Sequence, residues 1–438
     1  MKIGHDDSAA QKPKADIWPK FDEEQIEDVV QVLRSGKVNQ WTGTKVREFE
    51  SAYAAHVGRK HAIALANGTL ALDIALQIIG LNPGDEVIVT PRSFVASASC
   101  VPMAGGIPVF ADVDPDSQAL TAESIAAVLT PRTRAVIIVH LAGWPADMDP
   151  IMRLAEEKSF IVIEDCAQAH GAEYKGKPVG QLGHIAAFSF CQDKIITTGG
   201  EGGLLALDDD ALWGKAWSLK DHGKVHEKLS TKVHGPGFRW VADSFGSNYR
   251  MIEIEAALGL RQLQRLPAWH DQRTANAAVL MEQFRKLPGL RTPEPPDTMK
   301  HAWYRAYTFV RPERLKPGWS RDRIQSSINA AGIACFSGSC SEIYREKAFV
   351  DAGFVPPQRL PNAALLGDTS LAFLVDPCQT LEMMTEAARA VAEVMREATV
   401  EDAYVGEQGS NSSPSFGDVP ANVRTSNYAR DRTVLVGR

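Results

Sequence analysis

The sequence predicts an α/β fold in which a mainly parallel sheet is wrapped by helices, followed by a smaller C-terminal α+β domain. Three observations carry that expectation. From about residue 60 to 210, short β-type runs alternate with helical stretches, the order that builds parallel sheets. Most of these runs are continuously apolar instead of alternating, as strands covered on both faces are. After Gly246 the pattern turns to long stretches with apolar residues at helical spacing.

In order along the chain, strands are expected at Ala62–Ala66, Glu86–Thr90, Pro108–Asp112, Ala135–His140, Phe160–Asp165, Ala186–Phe190 and Gly203–Leu207. Helices fall between them at Leu70–Ile79, Ala122–Leu129 and Pro150–Lys158. Ligands of such sheets bind at the carboxyl ends of the strands, which makes the polar residues there the first candidates for a site. Ile252–Leu266 and Ala268–Lys286 read as long amphipathic helix, and PGLRTPEPP then breaks the chain. Trp303–Val310, Arg321–Ala331 and Leu381–Ala398 supply strand and helix for the smaller domain. The division expected is an N-terminal extension at 1–20, a large domain at 21–265, a small domain at 266–399 and a polar, flexible tail at 400–438. Leu435 and Val436 are the candidate anchors of that tail.

With 438 residues, 44% hydrophobic and 23% charged, the chain is an ordinary globular one, long enough for two substantial cores. Its net charge of −7 gives no general attraction to nucleic acid or anionic membrane, so an anionic ligand needs a local site. No apolar run approaches the roughly 18 residues of a membrane span. The N-terminus, MKIGHDDSAAQKPKADIWPKF, is polar and without the apolar stretch of a secretory signal, so a cytoplasmic protein is expected. The cysteines Cys100, Cys166, Cys191, Cys335, Cys340 and Cys378 are scattered, with no C-x-x-C pair and no histidines at zinc spacing. Reduced thiols and no metal site are the expectation.

Three segments carry chemistry. In IALANGTLALDIALQIIG (Ile63–Gly80) a strand ends, Asn67-Gly68-Thr69 turns, and an apolar-faced helix begins. The N–H groups and dipole of such a helix start make an anion site, with Gly68 allowing close approach and Thr69 adding a hydroxyl; alternatively Asn67 or Thr69 caps a buried helix. In IVIEDCAQAHGA (Ile161–Ala172) a buried-type strand ends on Glu164-Asp165, a costly place for a carboxylate unless it is paired. Asp165 there can hold a cationic ring nitrogen, or cap the next turn. In AAFSFCQDKIITTGGEGGLL (Ala186–Leu205) a strand delivers Ser189 and then Lys194, with a Gly-rich turn beyond. A lysine so placed is expected to be desolvated, which lowers its pKa toward use as nucleophile and base.

In this order the three segments resemble the DegT/StrS family of pyridoxal-phosphate (PLP) sugar aminotransferases, of fold type I. That family carries an N-G-T/S-A-L helix start, an E-D-x-A-Q-x-x-G-A strand end and an F-S-F-x-x-x-K loop closed by G-E-G-G. KDHGK (Lys220–Lys224) and GSNYRMIEIEAALG (Gly246–Gly259) are similar to its H-G and G-x-N-x-R-M segments. The resemblance covers roughly residues 20 to 398. It implies the fold type I architecture, PLP as cofactor, and pyridoxamine phosphate between two half-reactions. By the same resemblance Lys194 bears the cofactor as a Schiff base and shuttles the proton, Asp165 pairs with the ring nitrogen, and Gln168 sits near the ring hydroxyl. Gly68, Thr69 and Ser189 hold the phosphate, and Phe94 stacks on the ring. Asn248 matches an asparagine that reaches the phosphate of a neighbouring subunit, which implies a homodimer with shared sites. His222, Arg250 and His301 are candidates for substrate contact, the first two with a structural alternative, and Trp240, Trp303 and Tyr304 can stack on a sugar or base, with core packing the favoured reading. Two segments depart from the family pattern: TPRSFVAS (Thr90–Ser97) is one residue shorter than the usual T-P-x-F-T-F-V-A, and FSGSCSEIYREKAF (Phe336–Phe349) lacks Y-x-x-P-L-H.

The implied reaction moves an amino group from an amino acid, glutamate by resemblance, to a nucleotide-linked keto-sugar. Sugar dehydratases of the same fold replace the lysine with histidine; Lys194 favours amino transfer. The alternatives are a fold type I enzyme acting on amino acids alone and a PLP-binding regulator without catalysis.

Overall fold

The computed structural model describes residues 17–230 and 237–400; the tail beyond Val400, with Leu435 and Val436, lies outside the described residues. Its centre is a seven-stranded sheet. Across the sheet the strands run His61–Leu65, Gly203–Leu207, Ile185–Ser189, Ile161–Asp165, Thr133–Val139, Glu86–Val89 and Ile107–Phe110. The Gly203–Leu207 strand is antiparallel to both neighbours and every other pairing is parallel, so six strands point the same way. Both faces are covered, and successive residues go to opposite cores. Val87 and Val89 join the cluster under the Gly68–Ile79 and Ala96–Met103 helices, whereas Ile88 joins the one under Met148–Lys158. Leu205 and Leu207 divide from Leu204 and Ala206 in the same way. This is why the strands read as unbroken apolar runs.

A single 32-residue helix, Glu253–Phe284, carries the chain out of the large domain, with Pro267 inside it. Ala256 packs with Val46 and Phe49 of the Lys45–Val57 helix, while Ala277, Leu280, Met281 and Phe284 belong to the core of the C-terminal part. The expected division between 265 and 266 therefore falls within one helix that serves both cores. The C-terminal part has a four-stranded antiparallel sheet, Leu290–Arg291, Ala306–Val310, Ser370–Phe373 and Cys335–Phe336, under the Arg321–Ala330 and Leu381–Ala398 helices. Residues 17–35 lie back against the molecule: Arg261 and Arg265 of the long helix bind Asp28 and Asp22, and Trp18 meets Trp269 edge-on with ring centroids 5.0 Å apart.

All six cysteines are free thiols; Cys100, Cys166 and Cys335 are buried, and Cys340 is exposed. No helix among the described residues is long and apolar enough to cross a membrane.

Candidate active site

The carboxyl ends of the parallel strands open on a cavity of about 580 Å³. Asn67, just beyond the His61–Leu65 strand, caps the next helix, its side chain accepting from the Leu70 N–H at 3.0 Å. Capping and anion binding are compatible, because the cap leaves the Gly68 and Thr69 N–H groups at the cavity without intrahelical acceptors. A Cβ at Gly68 would lie 2.6 Å from the Ser189 Cβ, so only glycine lets the helix start and the Ser189 strand meet.

Strand alternation separates the two adjacent carboxylates. Glu164 turns away from the cavity into a buried clamp: it accepts from Gly180, Leu182 and Gly183 N–H groups and pairs with His140 at 3.0 Å. Burial works against its charge, but His140 and the backbone donors outweigh it and hold its pKa below the usual value. His140 has both ring nitrogens engaged, Nε2 with Glu164 and Nδ1 with the Ala146 N–H. Asp165 faces the cavity. Its Oδ1 accepts from the Ala167 N–H at 3.1 Å and its Oδ2 from the Ser97 hydroxyl at 2.7 Å, so it caps the turn and lines the site at once. Burial pushes its pKa up against these donors.

Lys194 stands in a loop that doubles back from Phe190 to Gly202. Gly200 (φ 137°) and Gly202 (φ 150°) take backbone angles that side chains disfavour, and a Cβ at Gly202 would strike the Thr198 hydroxyl. Its ammonium lies 3.4 Å from the Tyr304 hydroxyl and 3.3 Å from Asp193, and Tyr304 in turn donates to Asp193. Burial alone would lower the Lys194 pKa, as the sequence suggested. Tyr304 and Asp193 outweigh burial and hold it above its ordinary value, which corrects that expectation. Trp18 donates to the Lys194 carbonyl at 2.9 Å, fixing the loop from outside.

The pocket has what a PLP molecule requires: an amine, a buried carboxylate for a ring nitrogen, and helix-start N–H groups for a phosphate. A model for the DegT/DnrJ/EryC1/StrS aminotransferase family matches residues 19–396. The chain belongs to that family. The aminotransferase is 39% identical over 318 residues to GDP-perosamine synthase of Caulobacter vibrioides, covering 72% of this chain and 81% of that one. It is 38% identical over 286 residues to the spore coat polysaccharide biosynthesis protein SpsC of Bacillus subtilis, covering 65% and 73%. The crystal structure of an aminotransferase from Psychrobacter cryohalolentis superposes with a TM-score of 0.86 at 49% identity, covering 87% of this chain and 99% of that one. The family is PLP-dependent, and the mixed sheet with its flanking helices is the fold type I arrangement expected.

In this aminotransferase Gly68, Thr69, Phe94, Asp165, Gln168, Ser189 and Lys194 meet in the one cavity. Gln168 is oriented by the Ala142 N–H, which its Oε1 accepts at 2.8 Å, and Phe94 is 66% exposed on the cavity wall. Four candidates lie outside the cavity in a single chain. Asn248 is on the surface, in an exposed run from Ala242 to Asn248. His222 is exposed, with its backbone N–H bound to the Ser247 carbonyl. Arg250 braces the same loop through Asp221 at 2.9 Å. His301 is buried, its ring stacked on Trp303 with centroids 4.0 Å apart and its Nδ1 accepting from the Trp303 backbone N–H, and burial lowers its pKa to about 3. Sequence reasoning missed Ser97 and Asp193, and read Tyr304 as packing. Tyr304 is indeed buried, but its hydroxyl is at the lysine; only the fold brings residues 110 apart in sequence together.

Proposed function

We propose that this aminotransferase moves an amino group from an amino acid, glutamate being the expected donor, to a nucleotide-linked keto-sugar in the cytoplasm. The observation that carries the reading is the placement of Lys194 and Asp165 on one cavity beside the helix start at Gly68. The relatives named for perosamine and for spore coat polysaccharide synthesis support a sugar acceptor.

When bound, PLP supplies the electron sink for charge developing at the donor's Cα. The Gly68 and Thr69 N–H groups and the Ser189 hydroxyl, all on the cavity wall, would hold its phosphate. Asp165, when ionised, would keep the ring nitrogen protonated, and Phe94 would pack against the ring. Lys194, once its ammonium proton is lost, would be the amine that holds the cofactor and the base that carries the donor's Cα proton on Nζ. Tyr304, whose hydroxyl lies 3.4 Å from Nζ, would orient it. In the second half-reaction the same groups act in reverse on the keto-sugar, so ping-pong kinetics are expected.

The same reading has the enzyme working as a homodimer in which Asn248 of each chain completes the phosphate site of the other. The exposed side chains Phe238, Trp240 and Phe245, at 79%, 82% and 99%, support burial against a second copy. The test is a panel of keto-sugar nucleotides offered with glutamate and followed by 2-oxoglutarate release. Turnover of one or more members is expected. No turnover with any sugar, together with turnover between amino acids and 2-oxo acids, overturns the sugar assignment.

A further inference from the structure

The two segments that depart from the family pattern, Thr90–Ser97 and Phe336–Phe349, are bound to each other. The Ser93 N–H donates to the Cys340 carbonyl at 3.1 Å, and the Ile343 N–H to the Pro91 carbonyl at 2.9 Å. Between them Arg92 is fully buried without a carboxylate among its hydrogen-bond partners. Its Nε donates to the Gln118 side chain at 2.7 Å and its Nη1 to the Ser341 hydroxyl at 2.8 Å. A guanidinium is the one side chain that reaches several neutral acceptors from a rigid fork, which suits it to be a staple here.

What the staple holds is a row of hydroxyls that ends on the site. Ser93 Oγ lies 2.9 Å from Ser97 Oγ, and Ser97 donates to Asp165 Oδ2 at 2.7 Å; both serines are buried. A carboxylate only accepts, so Ser97 directs its proton at Asp165, and Ser93 must then direct its own at Ser97. The row has one polarity, and each donor strengthens the next.

We propose that Ser93 and Ser97 are positioning residues for Asp165, kept in line by the Arg92 staple to the 339–341 segment. The inference rests on the PLP reading, in which Asp165 must present an ionised oxygen to the ring nitrogen. Burial pushes the Asp165 carboxyl up, and Ser97 is the foremost group acting against it. Other titratable groups near Asp165 are Lys194 on its loop, His140 at the neighbouring strand end, Cys100 on the Ala96–Met103 helix and Cys166 next in sequence. None of these is hydrogen-bonded to the carboxylate.

The test uses Ser97→Ala, Ser93→Ala, Ser97→Thr and Arg92→Lys in the full chain. The Asp165 carboxyl is titrated by infrared spectroscopy without cofactor, its band being identified by loss in Asp165→Asn, and PLP affinity is measured separately. Ser97→Ala is expected to raise the titration midpoint by about one pH unit and weaken PLP binding about tenfold, the effect of one hydrogen bond to a charged group. Ser93→Ala should act in the same direction by about threefold, and Ser97→Thr should restore both readouts. Arg92→Lys should weaken binding, and adding Ser93→Ala to it should cost no more than the larger single change, because both act along one path. Unchanged titration and affinity in both alanine variants overturn the proposal, as do strictly additive losses for Arg92→Lys and Ser93→Ala. Failure of the wild-type protein to bind PLP would defeat the functional reading, while the titration without cofactor would still decide the role of the serines.

Discussion

The hydroxyl of Tyr304 lies 3.4 Å from Nζ of Lys194, bridging the C-terminal part of the chain to the loop that follows the Ile185–Ser189 strand. With Asp193 it sets the state in which the lysine waits. Burial by itself would favour the neutral amine, yet these two partners keep the ammonium form dominant to a higher pH than usual. The resting lysine is thus stored as a cation and must release a proton before it captures the cofactor.

That arrangement fixes the effect of Asp193→Asn. Removing the negative partner leaves burial to act with less opposition, so the lysine pKa falls. The rate of PLP capture, measured against pH by absorbance, should reach half its maximum about one pH unit lower than in the wild type. An unshifted profile would show that Asp193 does not govern the lysine.

Gly68→Ala tests the phosphate end. Its Cβ would come within 2.6 Å of the Ser189 Cβ, so the helix start and the strand must separate. Overpacking of this kind predicts PLP affinity lower by about tenfold or more with secondary structure retained. Fluorescence titration and circular dichroism check the two halves of that statement.

Glu164 predicts an acid limb of stability. Its folded-state pKa lies below the ordinary 4.5, so its contribution is present above the unfolded value and is lost as pH falls through the folded one. Glu164→Gln breaks a fully buried pair and should remove about 3 kcal/mol at neutral pH. Because the variant has no carboxylate to protonate there, its Tm should fall less than the wild type's between pH 5 and pH 3. Parallel Tm curves for the two proteins would contradict the clamp.

Shared sites predict complementation. Lys194→Ala and Asn248→Asp should each lose most activity alone. In a mixed dimer the Asn248→Asp chain supplies Lys194 and the Lys194→Ala chain supplies Asn248, so one site in two is intact. Refolded mixtures should regain activity that neither parent has; mixtures as inactive as the parents would place Asn248 outside the partner's site.

The central sheet and the chain order of Gly68, Asp165 and Lys194 were legible because both are local properties: apolar runs bounded by turns, and polar residues at strand ends. Helices Glu23–Ser35, Lys45–Val57 and Asp210–Lys220 had no expectation in the sequence, and Ala96–Met103 shows why such elements hide. Its small residues and internal Pro102 carry no amphipathic stripe, since most of the helix is buried. The partners of the site residues were not legible at all. Ser97 and Asp165 are 68 positions apart, and Lys194 and Tyr304 are 110 apart, so only folding pairs them. His301 and Arg250 looked available in sequence because their engagement by Trp303, two positions on, and by Asp221, 29 positions back, is geometry that residue type does not reveal.

The role of Lys194 is measured most directly by the site of cofactor attachment. PLP is added to the purified protein, the product is reduced with borohydride, and the digest is read by mass spectrometry. The added mass is expected on the peptide holding Lys194, and is expected to be absent from that peptide in Lys194→Ala. Attachment at another lysine with Lys194 unmodified, or attachment spread evenly over surface lysines, would contradict that role.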